Sequence, residues 1–137
     1  MARLLGIDPG TKRCGIALTD SAETMAFPRE ALAYDDGFFD HLRALIEDEG
    51  IEMIVIGRPL SLGGTPTAST DFADDLFRRL SEAGPTPVVQ HDERLTTTAA
   101  QRSLAAAGLT TRRQRSRIDS AAAVVMLQHF VESRHAL

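Results

Sequence analysis

Residues 4–18 constrain the fold more than any other stretch. Two apolar runs, Leu4 to Ile7 and Cys14 to Leu18, flank the polar knot Asp8-Pro9-Gly10-Thr11-Lys12-Arg13. Short apolar runs bounded by glycine read as two strands joined by a tight turn. Asp8 then falls at the end of the first strand. A buried carboxylate without a partner is expensive. Asp8 is therefore either satisfied locally by turn amides or placed to meet a metal ion or a phosphate-bearing substrate. Pro9 stops the strand, and Gly10 is expected to adopt positive φ and swing the backbone past the carboxylate.

The 137 residues are expected to form one domain, 1–137, with a core that needs no disulfide or structural metal. No apolar run approaches the roughly 18 residues of a membrane helix, and the N-terminus does not read as a signal peptide. The expectation is a cytoplasmic protein with no membrane partner. The lone cysteine, Cys14, sits inside the second strand and is expected to act as a small core hydrophobe. The net charge of −4 hides an asymmetry: residues 1–93 carry 17 acids and 8 bases, residues 94–137 carry 2 acids and 7 bases. From Arg94 to Ile118 there are six arginines (Arg94, Arg102, Arg112, Arg113, Arg115 and Arg117) and no acid. A charge run is ordinarily a solvated face. A one-sign arginine block also suits phosphate, so a nucleic-acid partner fits despite the acidic total.

Downstream, Phe27 to Leu32 reads as a third strand, with Pro28 arguing for a sheet edge or a later start; the short connections predict antiparallel pairing of strands one to three. Phe38, Phe39, Leu42, Leu45 and Ile46 fall at helical spacing, and Gly50 closes that helix. Glu47, Asp48 and Glu49 in its last turn oppose the helix dipole and predict a solvated end. Met53 to Ile56 reads as a strand buried on both faces, as in a parallel sheet. Gly57 to Pro66 reads as a long loop. A helix is predicted from Thr67 to Glu82, and a strand from Val88 to Gln90 running into His91-Asp92-Glu93-Arg94. A helix from Thr96 to Ala107, a basic loop from Thr110 to Arg117 and a last helix from Ile118 to Val131 complete the chain. The pattern is α/β: a mixed five-stranded sheet, three antiparallel then two parallel strands, with the first strand central and helices on its flanks.

Three acids stand where packing does not call for acids. Asp8 ends strand one, Glu93 ends the last strand, and Asp119 opens the final helix ahead of an alanine run. If the last strand is the parallel neighbour of the first, Asp8 and Glu93 emerge at one sheet edge, where ligands of open α/β sheets gather. Docking of the final helix there adds Asp119, although Asp119 also reads as a simple helix cap. Clustered carboxylates call for a cation, and oxygen ligands suit Mg²⁺ or Mn²⁺. Such ions support phosphodiester hydrolysis. His91 and His129 read as structural or surface residues, and no His/Cys group has zinc spacing. Asp-Pro-Gly-Thr at a strand end also opens sugar kinases and actin-like ATPases, which need a second domain of similar build. No Walker motif is present.

Residues 6–20 (Gly-Ile-Asp-Pro-Gly-Thr-Lys-Arg-Cys-Gly-Ile-Ala-Leu-Thr-Asp) resemble the opening of the YqgF family, Holliday junction resolvase-like proteins also described as pre-16S rRNA nucleases. Residues 54–64 resemble its central loop, and Asp92 to Thr97 and Ile118 to Ala123 its last two motifs. The motifs occur in family order along nearly the whole chain. The resemblance implies an RNase H-like fold akin to RuvC-type resolvases and Mg²⁺- or Mn²⁺-dependent phosphodiester hydrolysis. It makes Asp8, Glu93 and Asp119 the catalytic and metal-binding set. The implied role is maturation of the 5′ end of 16S ribosomal RNA, with branched DNA as the alternative substrate and a non-catalytic nucleic-acid-binding factor as the alternative class. Thr11, Lys12, Arg13, Arg94, Arg112, Arg113, Arg115 and Arg117 would then face a structured nucleic acid, in a monomer or a dimer. The chain departs from the family pattern in the central loop, where Arg58 replaces an apolar residue and Ser61 and Gly63 replace Asn and Asp. Arginines also stand where a lysine commonly precedes the last motif.

Overall fold

The computed structural model describes residues 3–60, 63–92 and 120–135. The two apolar runs of the opening stretch form strands β1 (Arg3–Asp8) and β2 (Arg13–Thr19), paired antiparallel. Strand β3 (Ala26–Ala33) pairs antiparallel with β2. Helix α1 (Phe38–Glu49) leads to β4 (Ile51–Arg58), and helix α2 (Ala68–Ala83) leads to β5 (Val88–Asp92). Helix α3 (Ala121–His135) is the last described element. The strand order is β3-β2-β1-β4-β5, with β1 central and β4 and β5 parallel to it. The predicted helix Thr96 to Ala107 and the basic loop 110–117 lie outside the described residues.

Side-chain alternation along β1 divides the core in two. Leu5 and Ile7 join Cys14, Ile16, Leu18, Ile54 and Ile56 under α1 and α2. Leu4 joins Ala17, Val55, Met126 and Leu127 under α3. Gly6 lies on the α3 side, where a Cβ would stand 3.0 Å from the Leu127 Cβ. Helix α3 thus packs on β1 at backbone distance. Its Gln128 side chain accepts from the Ala26 amide at 2.8 Å and donates to the Thr24 carbonyl at 3.1 Å, tying it to the start of the edge strand.

Four local expectations are corrected. The parallel neighbour of β1 is β4, and β5 lies one strand further out. The connection through α1 carries the chain from edge strand β3 back past β2 and β1 to the place beside β1, and the connection through α2 adds β5 outside β4. The carboxyl ends of β1, β4 and β5 still share one edge. Gly57 and Arg58 belong to β4, paired with His91 and Asp92, so the loop begins at Pro59. An isolated bridge joins Leu60 to Pro66 across it. The acidic end of α1 is not simply solvated, because Glu49 takes Arg3 at 2.6 Å and Arg29 at 3.0 Å. Finally, α3 is helical from Ala121, with Ser120 in a turn, and continues past Val131 to His135.

Candidate active site

Asp8 closes the central strand, opposite Gly15 of β2. It follows Leu4 and Gly6 in alternation, so it belongs to the α3 side of the sheet and is half-buried. Among the described residues, no hydrogen-bond donor or cation is paired with its carboxylate. The turn after it is tight for a reason other than the one predicted. Gly10 is not among the positive-φ glycines; a Cβ there would stand 2.3 Å from the Arg13 carbonyl oxygen, so the close approach itself demands glycine. Thr11, Lys12 and Arg13 are exposed beside Asp8, and the Lys12 carbonyl accepts from the Tyr34 amide at 2.9 Å, holding the turn against the end of β3. Cys14 is fully buried, as predicted. Burial pushes its thiol up to about 11 against the opposing pull of a backbone hydrogen bond with Gly10, and the nearby Asp8 charge adds to the rise.

Glu93, Arg94, Arg112, Arg113, Arg115, Arg117 and Asp119 lie outside the described residues, but the chain positions next to both acids are described. Asp92 ends β5, in register with Arg58. Ser120 precedes α3 and is fully buried. At a spacing of about 4.8 Å per strand, β5 runs about 10 Å from β1. The strand between them presents Gly57, without a side chain, level with His91. On the other flank, the Ser120 hydroxyl accepts from the Ile16 amide at 2.9 Å and donates to the Arg29 carbonyl at 2.7 Å. Asp8 therefore has an element leading to Glu93 on one side and an element arriving from Asp119 on the other. Among the described residues, no group of three His, Cys, Asp or Glu side chains could hold a metal ion.

Three features escaped the sequence reading. Ser120 carried no signal beyond its neighbour Asp119. His91 and His129 meet, Nε2 to Nδ1 at 2.9 Å, with the Phe130 edge against His91; strand parity and helix position could have suggested this once α3 was placed on that face. Burial first, then the charge of His129, holds His91 below its ordinary range. Arg58, the departure in the central loop, is clamped on the opposite face by Asp74 of α2 through 2.9 and 3.2 Å bonds. Gln90 donates to the same carboxylate at 2.7 Å, and the Thr70 hydroxyl bonds the Pro59 carbonyl. Arg58 thus anchors the loop to α2, and its hydrogen bonding, helped by that of Gln90, holds the Asp74 carboxyl below the usual range.

Comparison with known proteins places this arrangement among nucleases. A family profile described as "RuvX: Holliday junction resolvase" matches residues 2–133. A protein of Mycolicibacterium paratuberculosis described as "Putative pre-16S rRNA nuclease" is 44% identical over 141 residues, covering 98% of this chain and 82% of its own. One from Geobacillus thermodenitrificans with the same description is 38% identical over 136 residues, covering 96% of this chain and 99% of its own. Among solved structures, RuvC of Thermus thermophilus in complex with a Holliday junction substrate aligns with a TM-score of 0.57 at 15% identity, covering 99% of this chain and 97% of its own. Fowlpox virus resolvase with Holliday junction DNA aligns with a TM-score of 0.59 at 9% identity, covering 96% and 98%. At those identities the two structures bear on the fold, which is that of RuvC-like, RNase H-type resolvases.

Proposed function

Since this chain belongs to the RuvX family, we propose that it is a metal-dependent endonuclease whose substrate is the 5′ end of precursor 16S ribosomal RNA. It is a hydrolase of phosphodiester bonds. The observation that carries the site is Asp8: a half-buried carboxylate at the carboxyl end of the central strand, without a hydrogen-bond donor or cation on it among the described residues. It is flanked by the chain positions next to Glu93 and Asp119. Asp8, Glu93 and Asp119 would hold Mg²⁺ or Mn²⁺, which supplies positive charge at the scissile phosphate and lowers the pKa of attacking water. Thr11, Lys12 and Arg13, exposed on the turn beside Asp8, would orient the nucleic-acid backbone. Arg94, Arg112, Arg113, Arg115 and Arg117 would grip flanking phosphates. Residues 1–137 act as a single RNase H-like domain in this reading, working in the cytoplasm. Among the described residues no helix is long and apolar enough to cross a membrane.

The family's own description favours a second substrate, branched DNA. The deciding experiment compares cleavage of precursor 16S RNA and of a four-way DNA junction in Mn²⁺ by wild type, Asp8→Asn, Glu93→Gln and Asp119→Asn. The RNA reading requires cleavage by wild type and losses of at least about 10²-fold in each variant. Cleavage of the junction alone transfers the proposal to DNA. Equal binding with no cleavage by any of the four proteins leaves a nucleic-acid-binding factor and ends the nuclease reading.

A further inference from the structure

We propose that the groove between the C-terminal halves of α1 and α2 docks a basic protein segment, which lays an apolar side chain between the helices and sets Lys or Arg against Glu47 and Glu82. The proposal goes beyond the nuclease reading and does not rest on it. A cavity of about 250 Å³ opens in this groove, lined by Leu42 and Ile46 of α1, Leu80 of α2 and Ile54 of β4. Leu42 and Ile46 are four positions apart and so share one face of α1. Small-ligand sites ordinarily enclose upwards of about 300 Å³. This groove instead has the size for one or two large side chains, as when an amphipathic helix lays its anchors between two others. Helix α1 runs directly into β4, and α2 turns into β5. Both helix C-termini therefore lie at the amino ends of those strands, away from the edge that carries Asp8.

Charge at this end of the groove has one sign. The negative ends of two helix dipoles meet there, where a cation is the ordinary complement. The last turn of neither helix holds a basic residue. Glu47 and Asp48 stand in that of α1 and Glu82 in that of α2. Glu47 lines the groove, is exposed, and has no ion pair among the described residues. Glu82 meets Arg78 at 3.5 Å, but Arg78 lies closer to Asp75, at 2.6 Å. Arg43 also lines the groove, one turn back from Glu47, and Asp40 answers it at 3.9 Å. Residues 3–92 carry 16 acids against 8 bases, so the wider field also draws a basic partner. The wall formed by α2 is open at Gly84. Its backbone is extended, with φ −166°, and a Cβ there would meet nothing within 4 Å. Gly84 lines the groove without being required by the backbone, so a side chain added there takes up free space.

The test follows the fluorescence anisotropy of a labelled Leu/Lys peptide, with leucines at helical spacing, as the full chain is added at about 0.1 M salt. Wild type should bind it saturably and should not bind the matching Leu/Glu peptide. Gly84→Trp, which fills the groove, should weaken binding at least about 10-fold, the loss of one anchor contact. The double variant Glu47→Gln/Glu82→Gln should lose as much. Asp36→Asn/Asp71→Asn removes the same charge from the other ends of the two helices, roughly 16 Å away. At that distance, beyond a screening length of about 10 Å, binding should stay within about threefold of wild type. Melting curves confirm that each variant folds. The glutamine pair sits at exposed positions and decides the comparison if Gly84→Trp does not fold. The proposal is overturned by absent binding in wild type, by equal binding of the Leu/Glu peptide, or by unchanged affinity in a folded Gly84→Trp or in the glutamine pair. An equal loss in Asp36→Asn/Asp71→Asn overturns it too, since attraction to net charge then suffices. If hexylammonium ion binds as tightly as the peptide, the groove takes a small organic cation and the docking proposal falls. It falls as well if wild type sediments as a dimer and Gly84→Trp as a monomer, because a second copy then covers the groove.

Discussion

Cys14 and Asp8 lie close together at the same strand ends and show how differently two acids are treated there. Cys14 is sealed in the core under α1 and α2, and burial raises its thiol from the ordinary 9.0 to about 11. The unfolded chain releases that proton near pH 9 while the folded chain keeps it to about pH 11. The folded state then binds more protons between those values. The contribution of Cys14 to stability is complete below pH 9 and is lost as pH rises through 11. Urea unfolding from about pH 8 to about pH 11 should show that decline in wild type and a shallower one in Cys14→Ala; identical slopes would assign the alkaline loss to other groups. The buried role of Cys14 was legible from its place in an apolar run. The need for glycine at position 10 was legible too, but not its cause, because the room that the Arg13 carbonyl leaves for a Cβ depends on how the turn folds back. In sequence, Arg58 stands out only as a departure from the family's central-loop pattern. Its capture by Asp74 depends on where α2 lies, which spacing along the chain does not encode.

At the level of elements, α3 depends on one bare backbone position. Gly6 lets Leu127 rest on β1, and an added methyl would meet the Leu127 Cβ at 3.0 Å and its Cδ2 at 3.2 Å. The Cβ cannot swing aside, so the helix or the strand must shift. Gly6→Ala should therefore cost about 1–3 kcal/mol, the usual range for overpacking. By lifting α3 it should also weaken Mn²⁺ binding at the acids. Chemical denaturation and a Mn²⁺ titration check both effects, and full stability with native Mn²⁺ affinity would show that α3 tolerates the displacement. Strand existence, the antiparallel trio and the edge position of Pro28 could be read from apolar runs and short connections. The order of β4 and β5 could not. Two short apolar parallel strands look alike in sequence, and only the sheet order ranks them. Asp8, the end of β5 and the start of α3 nevertheless fall at one edge, because direction, rather than rank, decides where a strand's carboxyl end points.

For the molecule as a whole, the two sheet faces divide the work. The face under α1 and α2 carries the larger buried cluster and the Arg58–Asp74–Gln90 clamp. The face under α3 carries Asp8, Ser120 and the His91–His129 contact. Charge is divided along the chain in a parallel way. The acidic 1–93 portion would repel a polyanion, while the stretch from Arg94 to Ile118 has six arginines and no acid. Capture and cleavage should then be separable. Replacing Arg112, Arg113, Arg115 and Arg117 by Gln removes four positive charges without touching any of the three acids. RNA affinity should fall. The slope of log K against log salt should also shrink in magnitude by about 0.7–0.9 for each phosphate that the variant no longer neutralises. Mn²⁺ affinity should change far less than in Asp8→Asn, because no acid is removed. Asp8→Asn should do the reverse, leaving the salt slope in place while cleavage disappears. Filter binding across a salt series, paired with Mn²⁺ titration of the same proteins, reads both halves. An arginine variant whose salt slope matches wild type would move the phosphate grip away from residues 112–117 and onto the turn formed by Thr11, Lys12 and Arg13.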